Sequence, residues 1–310
     1  MLSCVMLVIG FVLLVWGADK FVEGASALAR KMGVSPLLVG LTIVAFGTSM
    51  PELAVSVTAA LRGANEIAVG NVVGSNMFNL LVVAGLSAVI CPLVMDKMLL
   101  RRDWPLSIFA AVLLLAAIAP DHVIARWEGA VLLVIFAVIL SRQIKAALND
   151  RAQLAAAEAE AAEEAAEMTK SPVMIWVNIV LGLACIVLGG QLAVNGATGI
   201  ARMFGLSETL IGLTIVAIGT SLPELVTSIV AARKGQNEIA SNLFNILLIL
   251  GVSAVITPIP VQATSIIDCL FLIAISVVFY LPARKGKLGR LPGAVMAAMY
   301  VAYTAYLIMR

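Results

Sequence analysis

Charged residues are scarce in this chain. Asp, Glu, Lys and Arg make up only 12% of its 310 residues, whereas 62% are hydrophobic and the mean hydropathy is +1.08. This balance lies far outside the range of a soluble globular domain. Apolar runs of roughly 20 residues, the length that spans a bilayer as a helix, follow one another along almost the whole chain. They lack the alternation of barrel strands, so the composition predicts a polytopic helical membrane protein.

Histidine and cysteine are also rare. The chain has one histidine, His122, in a short polar connection, and four isolated cysteines without a CxxC pair. This pattern argues against a zinc, copper or iron centre and predicts cysteines with a structural role only. It also disfavours intramembrane proteolysis. A serine nucleophile needs a histidine or lysine base, and the membrane interior offers Asp19 without a clear second aspartate. We expect no enzyme activity and no cofactor.

The apolar runs predict an all-α membrane protein with ten transmembrane helices. The predicted spans are residues 2–29, 35–61, 66–91, 104–119, 124–147, 172–203, 207–232, 238–257, 263–282 and 292–309. The first run lacks a basic start and a small-residue cleavage site, so we interpret it as a helix and not as a signal peptide. Most Lys and Arg residues lie in one set of alternate connections. The positive-inside rule therefore places both termini on the non-cytoplasmic side of a bacterial or archaeal plasma membrane.

A fourteen-residue segment occurs twice. Residues 40–53 read GLTIVAFGTSMPEL and residues 212–225 read GLTIVAIGTSLPEL, with twelve identical positions. Each half of the chain contains one copy of the segment and five predicted spans. Because five is an odd number, the second half enters the membrane from the opposite side. We therefore predict two inverted repeats, residues 1–148 and 172–310, an arrangement that places transporter sites at the membrane midplane. Residues 149–171, rich in alanine and glutamate, are predicted to form a partly helical cytoplasmic linker.

Each copy of the segment places a carboxylate inside an apolar run, which costs about 2.5 kcal/mol or more at mid-membrane. Thr48 and Ser49 precede Glu52 by four and three residues, a spacing that puts the three oxygens on one helix face. Pro51 has no N–H, so the carbonyl of Gly47 loses its usual helical partner. Carboxylate, hydroxyl and carbonyl oxygens are the hard ligands that sodium and calcium prefer.

The second copy repeats this arrangement, and each copy is followed by a serine and an asparagine four residues apart. The residues are Thr220, Ser221 and Glu224, with the pairs Ser75–Asn79 and Ser241–Asn245. Serine and asparagine alone more often join membrane helices by hydrogen bonds. Two glutamates at matching intramembrane positions are harder to explain structurally. The pattern therefore predicts a symmetric cation-binding centre.

The paired GTSxPE motifs, each followed by SNxFN, resemble the sodium/calcium exchanger branch of the cation/calcium exchanger superfamily, especially its prokaryotic ten-helix members. The resemblance covers essentially the whole chain. It implies calcium antiport against sodium, or against protons in some branches, by alternating access. The first and sixth spans would be a long, tilted, sliding pair. The ion ligands implied are Thr48, Ser49, Glu52, Ser75, Asn79, Thr220, Ser221, Glu224, Ser241 and Asn245, with the backbone carbonyls of Ala45 and Ala217.

The sequence departs from this family pattern at the asparagines. Well-studied members have an aspartate at one of the positions matching Asn79 and Asn245, whereas this chain has asparagine at both. Its centre would hold two carboxylates and not three, so sodium and protons both stay open as the coupling ion. A passive cation channel is a further alternative. We expect calcium and sodium as substrates, the lipid bilayer as surroundings, no nucleic-acid partner, and a single chain as the working unit.

A second departure is the spacing of the repeats. The offset between matching residues changes from 172 to 166, because the second copy lacks a counterpart of Val69–Gly74 between Ala240 and Ser241. Either six residues are omitted there or the eighth span is displaced. Omission predicts that the Cα atoms of Ala240 and Ser241 are separated by well over the 3.8 Å of a trans peptide.

A few other polar or aromatic residues in the apolar runs have structural interpretations. Asp19 and Lys20 are predicted to form an intramembrane ion pair or to lie at a helix end. Asp268 is predicted near the outer membrane interface. Trp104, like two other tryptophans near helix starts, is predicted to be an interfacial anchor.

Overall fold

A computed structural model describes residues 2–32, 45–61, 63, 65–95, 97, 99–149, 171–205, 217–222, 224–225, 228 and 241–309. The α-helical segments are α1 (Leu2–Met32), α2 (Ala45–Thr48), α3 (Met50–Leu61), α4 (Asn65–Phe78), α5 (Ala84–Ile90), α6 (Trp104–Ile118), α7 (Arg126–Asn149), α8 (Pro172–Met203), α9 (Ala217–Thr220), α10 (Ser241–Leu243), α11 (Gly251–Ile256), α12 (Ala263–Ala283) and α13 (Arg290–Met309). Three π-helical segments, Asn79–Val83, Leu99–Asp103 and Phe244–Leu250, join α4 to α5, precede α6 and join α10 to α11.

Within the described residues, six helical stretches are long and apolar enough to cross a membrane. They are Leu2–Ala25, Ala68–Ile90, Arg126–Ala146, Pro172–Gly189, Ala263–Ala283 and Arg290–Met309. The prediction of an all-helical membrane protein is confirmed. The count of ten membrane crossings stays a prediction, because most of the seventh predicted span lies outside the described residues.

α1 and α8 pack against each other in antiparallel orientation along their length. They contain 31 and 32 residues, which corresponds to about 45 Å of helix at 1.5 Å per residue. Glycines bring the two backbones together. A Cβ atom on Gly17 would lie 2.8 Å from the carbonyl oxygen of Gly182, and one on Gly196 would lie 2.6 Å from the nitrogen of Leu7. Such small residues allow the close packing that holds helices together in lipid.

Two short antiparallel ladders join connections at opposite ends of the bundle. β1 (Leu93–Val94) pairs with β4 (Lys287–Leu288), and β2 (Val123–Ile124) pairs with β3 (Ile259–Pro260). α6 separates β1 from β2, and α12 separates β3 from β4, so each ladder lies at one end of both helices. The sequence repeat relates β1 to β3, and it therefore exchanges the two ends of the bundle. This exchange is the arrangement that inverted repeats require.

The turns beside the ladders also match. Gly286 and His122 both have positive φ angles, 83° and 59°. The carbonyl of Gly286 accepts from the Met95 N–H at 2.9 Å, and that of His122 accepts from the Val261 N–H at 2.8 Å. The side chain of His122 is exposed, as its place in a polar connection predicts. The single histidine therefore serves a turn at one end of the bundle.

The buried core lies mainly among α4 to α6 and α10 to α13, and it corrects the prediction that Trp104 is an interfacial anchor. Trp104 is only 1% exposed, and its indole N–H donates to the carbonyl of Ser276 at 3.0 Å. Asp268 is 2% exposed and accepts from the Tyr303 hydroxyl at 3.0 Å. Both polar groups find partners inside the bundle, so neither needs the membrane surface.

The remaining structural expectations have mixed outcomes. Lys20 forms its ion pair with Glu23, at 2.9 Å, while Asp19 is exposed. All four cysteines are free. Nearly all of the predicted linker, residues 149–171, lies outside the described residues, as does Ala240. The predicted separation of Ala240 from Ser241 therefore stays a prediction.

Candidate cation-binding centre

Both copies of the GTSxPE motif interrupt their helix at the serine. α2 ends at Thr48 and α3 begins at Met50, with Ser49 in the turn between them. α9 ends at Thr220, with Ser221 in the equivalent turn. Pro51, two residues after Ser49, has no N–H, which suits the first turn of α3 and removes one bond to the preceding segment.

The sequence predicted that each motif presents its oxygens on one continuous helix face. The helix is interrupted at the serine, but the serine and the glutamate stay close together. The Leu53 N–H donates to the Ser49 carbonyl at 3.1 Å, and the Leu225 N–H donates to the Ser221 carbonyl at the same distance. One helical turn therefore bridges each break. As a result, Glu52 lies in the first turn of α3, three residues after Ser49.

Gly47 allows α1 to approach the first break. A Cβ atom at Gly47 would overlap the ring of Phe21, which is itself buried. The absence of a side chain at Gly47 therefore makes room for an aromatic ring of α1. Through Phe21, the long α1–α8 pair contacts the motif directly.

The two glutamates are held across the repeats. The Ser221 hydroxyl donates to Glu52 Oε1 at 2.9 Å, and the Ser49 hydroxyl donates to Glu224 Oε1 at 3.3 Å. Glu52 is 0% exposed and Glu224 is 4% exposed. Each carboxylate is therefore positioned by the serine of the opposite repeat. The two motifs, which lie far apart in the sequence, form one buried centre.

A second hydrogen-bonded group surrounds this centre. The Thr220 hydroxyl donates to Asn71 Oδ1 at 3.0 Å and lies 3.5 Å from the Ser75 hydroxyl. Asn71 Nδ2 donates to the Glu52 carbonyl at 3.3 Å and to the Ser56 hydroxyl at 3.0 Å. All five side chains are buried. Two of the predicted ligands, Ser75 and Thr220, are thus brought together with Glu52.

The predicted asparagine ligands lie in π-helical segments. Asn79 begins the segment Asn79–Val83, and Asn245 lies in Phe244–Leu250. Both side chains are buried, and neither amide atom of Asn245 has a hydrogen-bond partner among the described residues. Single π turns often occur at functional sites. An unsatisfied buried amide is costly in an apolar interior, so this group fits a role in binding.

The other predicted ligands are described only in part. Ala45 and Ala217 begin α2 and α9, which places their backbones at the starts of the interrupted helices. The side chains of Thr48 and Ser241 lie outside the described part of the structure. Their assignment as ligands stays a prediction.

The arrangement suits a hard cation. Glu52 Oε2 has no hydrogen-bond partner in the described part of the chain, so a buried carboxylate oxygen is available to a cation. No group of three His, Cys, Asp or Glu side chains with metal-binding spacing occurs among the described residues. The oxygens come instead from two carboxylates, hydroxyls and amides, which favour sodium or calcium over softer metals.

Sequence reasoning missed Asn71 and Ser56. Asn71 belongs to Val69–Gly74, the six residues that the second repeat lacks, and it precedes Ser75 by four positions. That spacing places the two polar side chains on one face of α4, so the helical period was a usable signal. Ser56 follows Glu52 by four positions and offers the same signal in α3.

Comparison with known proteins identifies the family. Residues 2–145 and 174–309 match the family model described as sodium/calcium exchanger protein. The chain belongs to this family. Sodium/calcium exchanger MaX1 of Methanosarcina acetivorans is 33% identical over 339 residues, covering 97% of each chain. The inner membrane protein YrbG of Escherichia coli (strain K12) is 34% identical over 324 residues, covering 99% of this chain and 97% of its own.

Solved structures of a sodium/calcium exchanger have the same fold. The sodium-calcium exchanger NCX_Mj, soaked with 2.5 mM Na+ and 0.1 mM Sr2+, superimposes with a TM-score of 0.79 at 32% identity, covering 98% of this chain and 99% of its own. Soaked with zero Na+ and Ca2+, the same exchanger gives a TM-score of 0.76 and covers 99% of both chains. This member of the sodium/calcium exchanger family is therefore a multi-pass plasma-membrane protein, and its relatives are transporters.

Proposed function

We propose that the protein exchanges calcium for sodium across the membrane by alternating access. The observation that carries this proposal is the pair of buried glutamates, Glu52 and Glu224, each bonded to a serine of the opposite repeat. In this proposal, ions bind at mid-membrane to the ten predicted ligands of the two motifs and to the backbone carbonyls of Ala45 and Ala217. Membership of the sodium/calcium exchanger family supports the choice of ions.

The charge of the centre supports exchange. Two carboxylates are neutralised by one calcium ion or by two sodium ions, and two buried negative charges without a cation are costly. One ion type must therefore leave as the other enters. The empty centre is the least stable state, which disfavours a change of access without a bound ion and so couples the two fluxes.

The repeat architecture supports alternating access. In our proposal the halves, residues 1–148 and 172–310, are inverted repeats of five helices each, with both termini on the non-cytoplasmic side. The exchange of the β1–β4 and β2–β3 ladders between the two ends of the bundle supports this symmetry. A centre built from both halves has its ligands redistributed when one half moves against the other, as in other inverted-repeat transporters.

Sodium is our first choice as the coupling ion. The hydroxyls of Ser49 and Ser221 and the amide of Asn245 are neutral oxygen ligands that coordinate sodium but do not take up a proton near neutral pH. The second candidate is calcium/proton antiport, which two carboxylates favour because two bound protons balance one calcium ion. A passive channel lined by the same residues is the remaining candidate.

Reconstitution of the purified protein into liposomes tests these candidates. Vesicles loaded with sodium and diluted into sodium-free buffer should accumulate radioactive calcium, and a protonophore should not prevent the uptake. Uptake that needs a pH gradient and ignores sodium would support the proton antiporter instead. Calcium entry that depends only on the calcium gradient, with no counter-ion inside, would indicate a channel.

A further inference from the structure

Asn71 joins the two repeats beside the candidate centre. It is fully buried in α4 and forms three hydrogen bonds. Its Oδ1 accepts from the Thr220 hydroxyl of the second repeat at 3.0 Å. Its Nδ2 donates to the Glu52 carbonyl at 3.3 Å and to Ser56 Oγ at 3.0 Å, both in α3 of the first repeat. One side chain thus links a carboxylate-bearing turn to a hydroxyl ligand from the other half.

The direction of these bonds is determined by their partners. The Glu52 carbonyl can only accept, so the amide must present its nitrogen to α3 and its oxygen to Thr220. The Thr220 hydroxyl then donates to Asn71, and its oxygen also lies 3.5 Å from the Ser75 hydroxyl. The network therefore holds the Thr220 hydroxyl in position beside the turn that carries Glu52.

The sequence provides this asparagine in one repeat only. Asn71 lies in Val69–Gly74, the six residues that have no counterpart between Ala240 and Ser241. The cross-repeat bonds of the two glutamates follow the internal symmetry, but the bonds of Asn71 have no symmetric counterpart in the sequence. The two halves of the centre are therefore chemically unequal.

We infer that Asn71 is a positioning residue that fixes the Glu52 turn and the orientation of the Thr220 hydroxyl for ion binding. It acts through these two residues. This inference rests on the proposed function, because it takes Glu52 and Thr220 as ion ligands. Loss of the Asn71 side chain should weaken calcium binding and leave the maximal turnover close to normal, since the two carboxylates remain.

The first test is Asn71→Leu, which keeps the number and branching of the side-chain heavy atoms and removes all three bonds. We expect the KM for calcium in sodium-driven uptake to rise roughly tenfold, the effect of one or two buried hydrogen bonds, with a maximal rate within about twofold of wild type. The matched control is Gln143→Leu. Gln143 is also a buried amide, and it donates to Asp103 at 3.2 Å, away from the centre. This control should lower the melting temperature without changing KM.

A double-mutant cycle separates positioning from general destabilisation. Thr220→Val removes the hydroxyl, whereas Thr220→Ser keeps it and should raise KM less than Thr220→Val does. In the Asn71→Leu and Thr220→Val double variant, KM should rise by less than the product of the two single effects, because both changes remove the same bond. A KM for Asn71→Leu equal to that of wild type, or effects that multiply fully, would overturn the inference.

Two further measurements keep the outcome interpretable. If Asn71→Leu does not fold, Asn71→Ser tests the same bonds with a smaller change, and it should also raise KM. Calcium-dependent stabilisation of the detergent-solubilised protein measures binding without transport. A wild-type protein that is stabilised by calcium but does not exchange it for sodium would refute the proposed function alone. Unchanged calcium stabilisation in both Asn71 variants would refute the inference alone.

Discussion

The hydroxyl of Ser221 donates to Glu52 Oε1 across 2.9 Å, from one repeat to the carboxylate of the other. The symmetric bond from Ser49 to Glu224 is longer, at 3.3 Å. Both carboxylates are thus oriented by groups that belong to the opposite half. Any movement of one half against the other changes the surroundings of both glutamates at once. In the proposed function, this geometry connects ion binding to the change of access.

The unequal lengths of these two bonds predict unequal effects of serine removal. Ser221→Ala should raise the KM for calcium roughly five- to tenfold, because a charge-assisted hydrogen bond contributes about 1.5 kcal/mol or somewhat less. Ser49→Ala should have a smaller effect of the same sign. Initial rates of calcium uptake at varied calcium concentration give both values.

Ser87→Ala is the matched control for the serine variants. Ser87 is buried in α5, and its hydroxyl has no hydrogen-bond partner among the described residues. This control should leave KM unchanged. Equal KM values for Ser87→Ala and Ser221→Ala would mean that the bond to Glu52 does not contribute to calcium binding.

The α1–α8 contact predicts a strong size limit at Gly182. A Cβ atom there would lie 2.6 Å from the backbone nitrogen of Phe21. Gly182→Leu should destabilise the protein by about 2 kcal/mol or more through overpacking, although leucine favours helix more than glycine does. Melting of the detergent-solubilised protein measures the loss. Val180→Leu, at a position that is 63% exposed, is the control and should melt like wild type.

The positive-inside rule and the two ladders together predict which ends face the cytoplasm. Lys287, in the β1–β4 ladder, should face the cytoplasm, and His122, beside the β2–β3 ladder, should face the opposite side. Both side chains are exposed. In a variant without the native cysteines, a membrane-impermeant maleimide should label His122→Cys in spheroplasts and label Lys287→Cys only after permeabilisation. The reverse labelling would invert the proposed topology.

Much of the architecture was predictable because hydrocarbon imposes simple rules on sequence. The apolar run 263–282 corresponds to α12, Ala263–Ala283, and the run 104–119 corresponds to α6, Trp104–Ile118. Polar residues end these runs, so their boundaries are visible in the sequence. The side of a helix that faces protein is less visible. Trp104 was wrongly predicted to be at the interface because a tryptophan near a helix start has the same pattern whether its indole meets lipid headgroups or the Ser276 carbonyl.

The candidate site was predictable in its residues but not in its partners. A carboxylate such as that of Glu52 is conspicuous in an apolar run because placing it inside a membrane is energetically unfavourable. The bond between Ser221 and Glu52 depends on how the two repeats pack against each other. The sequence of either repeat alone does not predict that packing. Asn71 was missed because a lone asparagine in an apolar helix resembles a residue that joins helices. The π-helical segments that contain Asn79 and Asn245 leave no clear signal in the hydrophobic period.

Sodium-driven calcium uptake by Glu52→Gln and Glu224→Gln is the most direct test of the proposed antiport centre. Each substitution removes one of two buried charges that bind the ion, at a cost of about 3 kcal/mol or more, so uptake should fall on the order of 100-fold. Asp268→Asn is the control, because it neutralises a buried carboxyl that bonds Tyr303 outside the centre. It should transport at the wild-type rate. Loss of uptake in both glutamine variants, with normal melting and an active control, is the predicted result, whereas wild-type uptake in both would contradict the assignment of the centre.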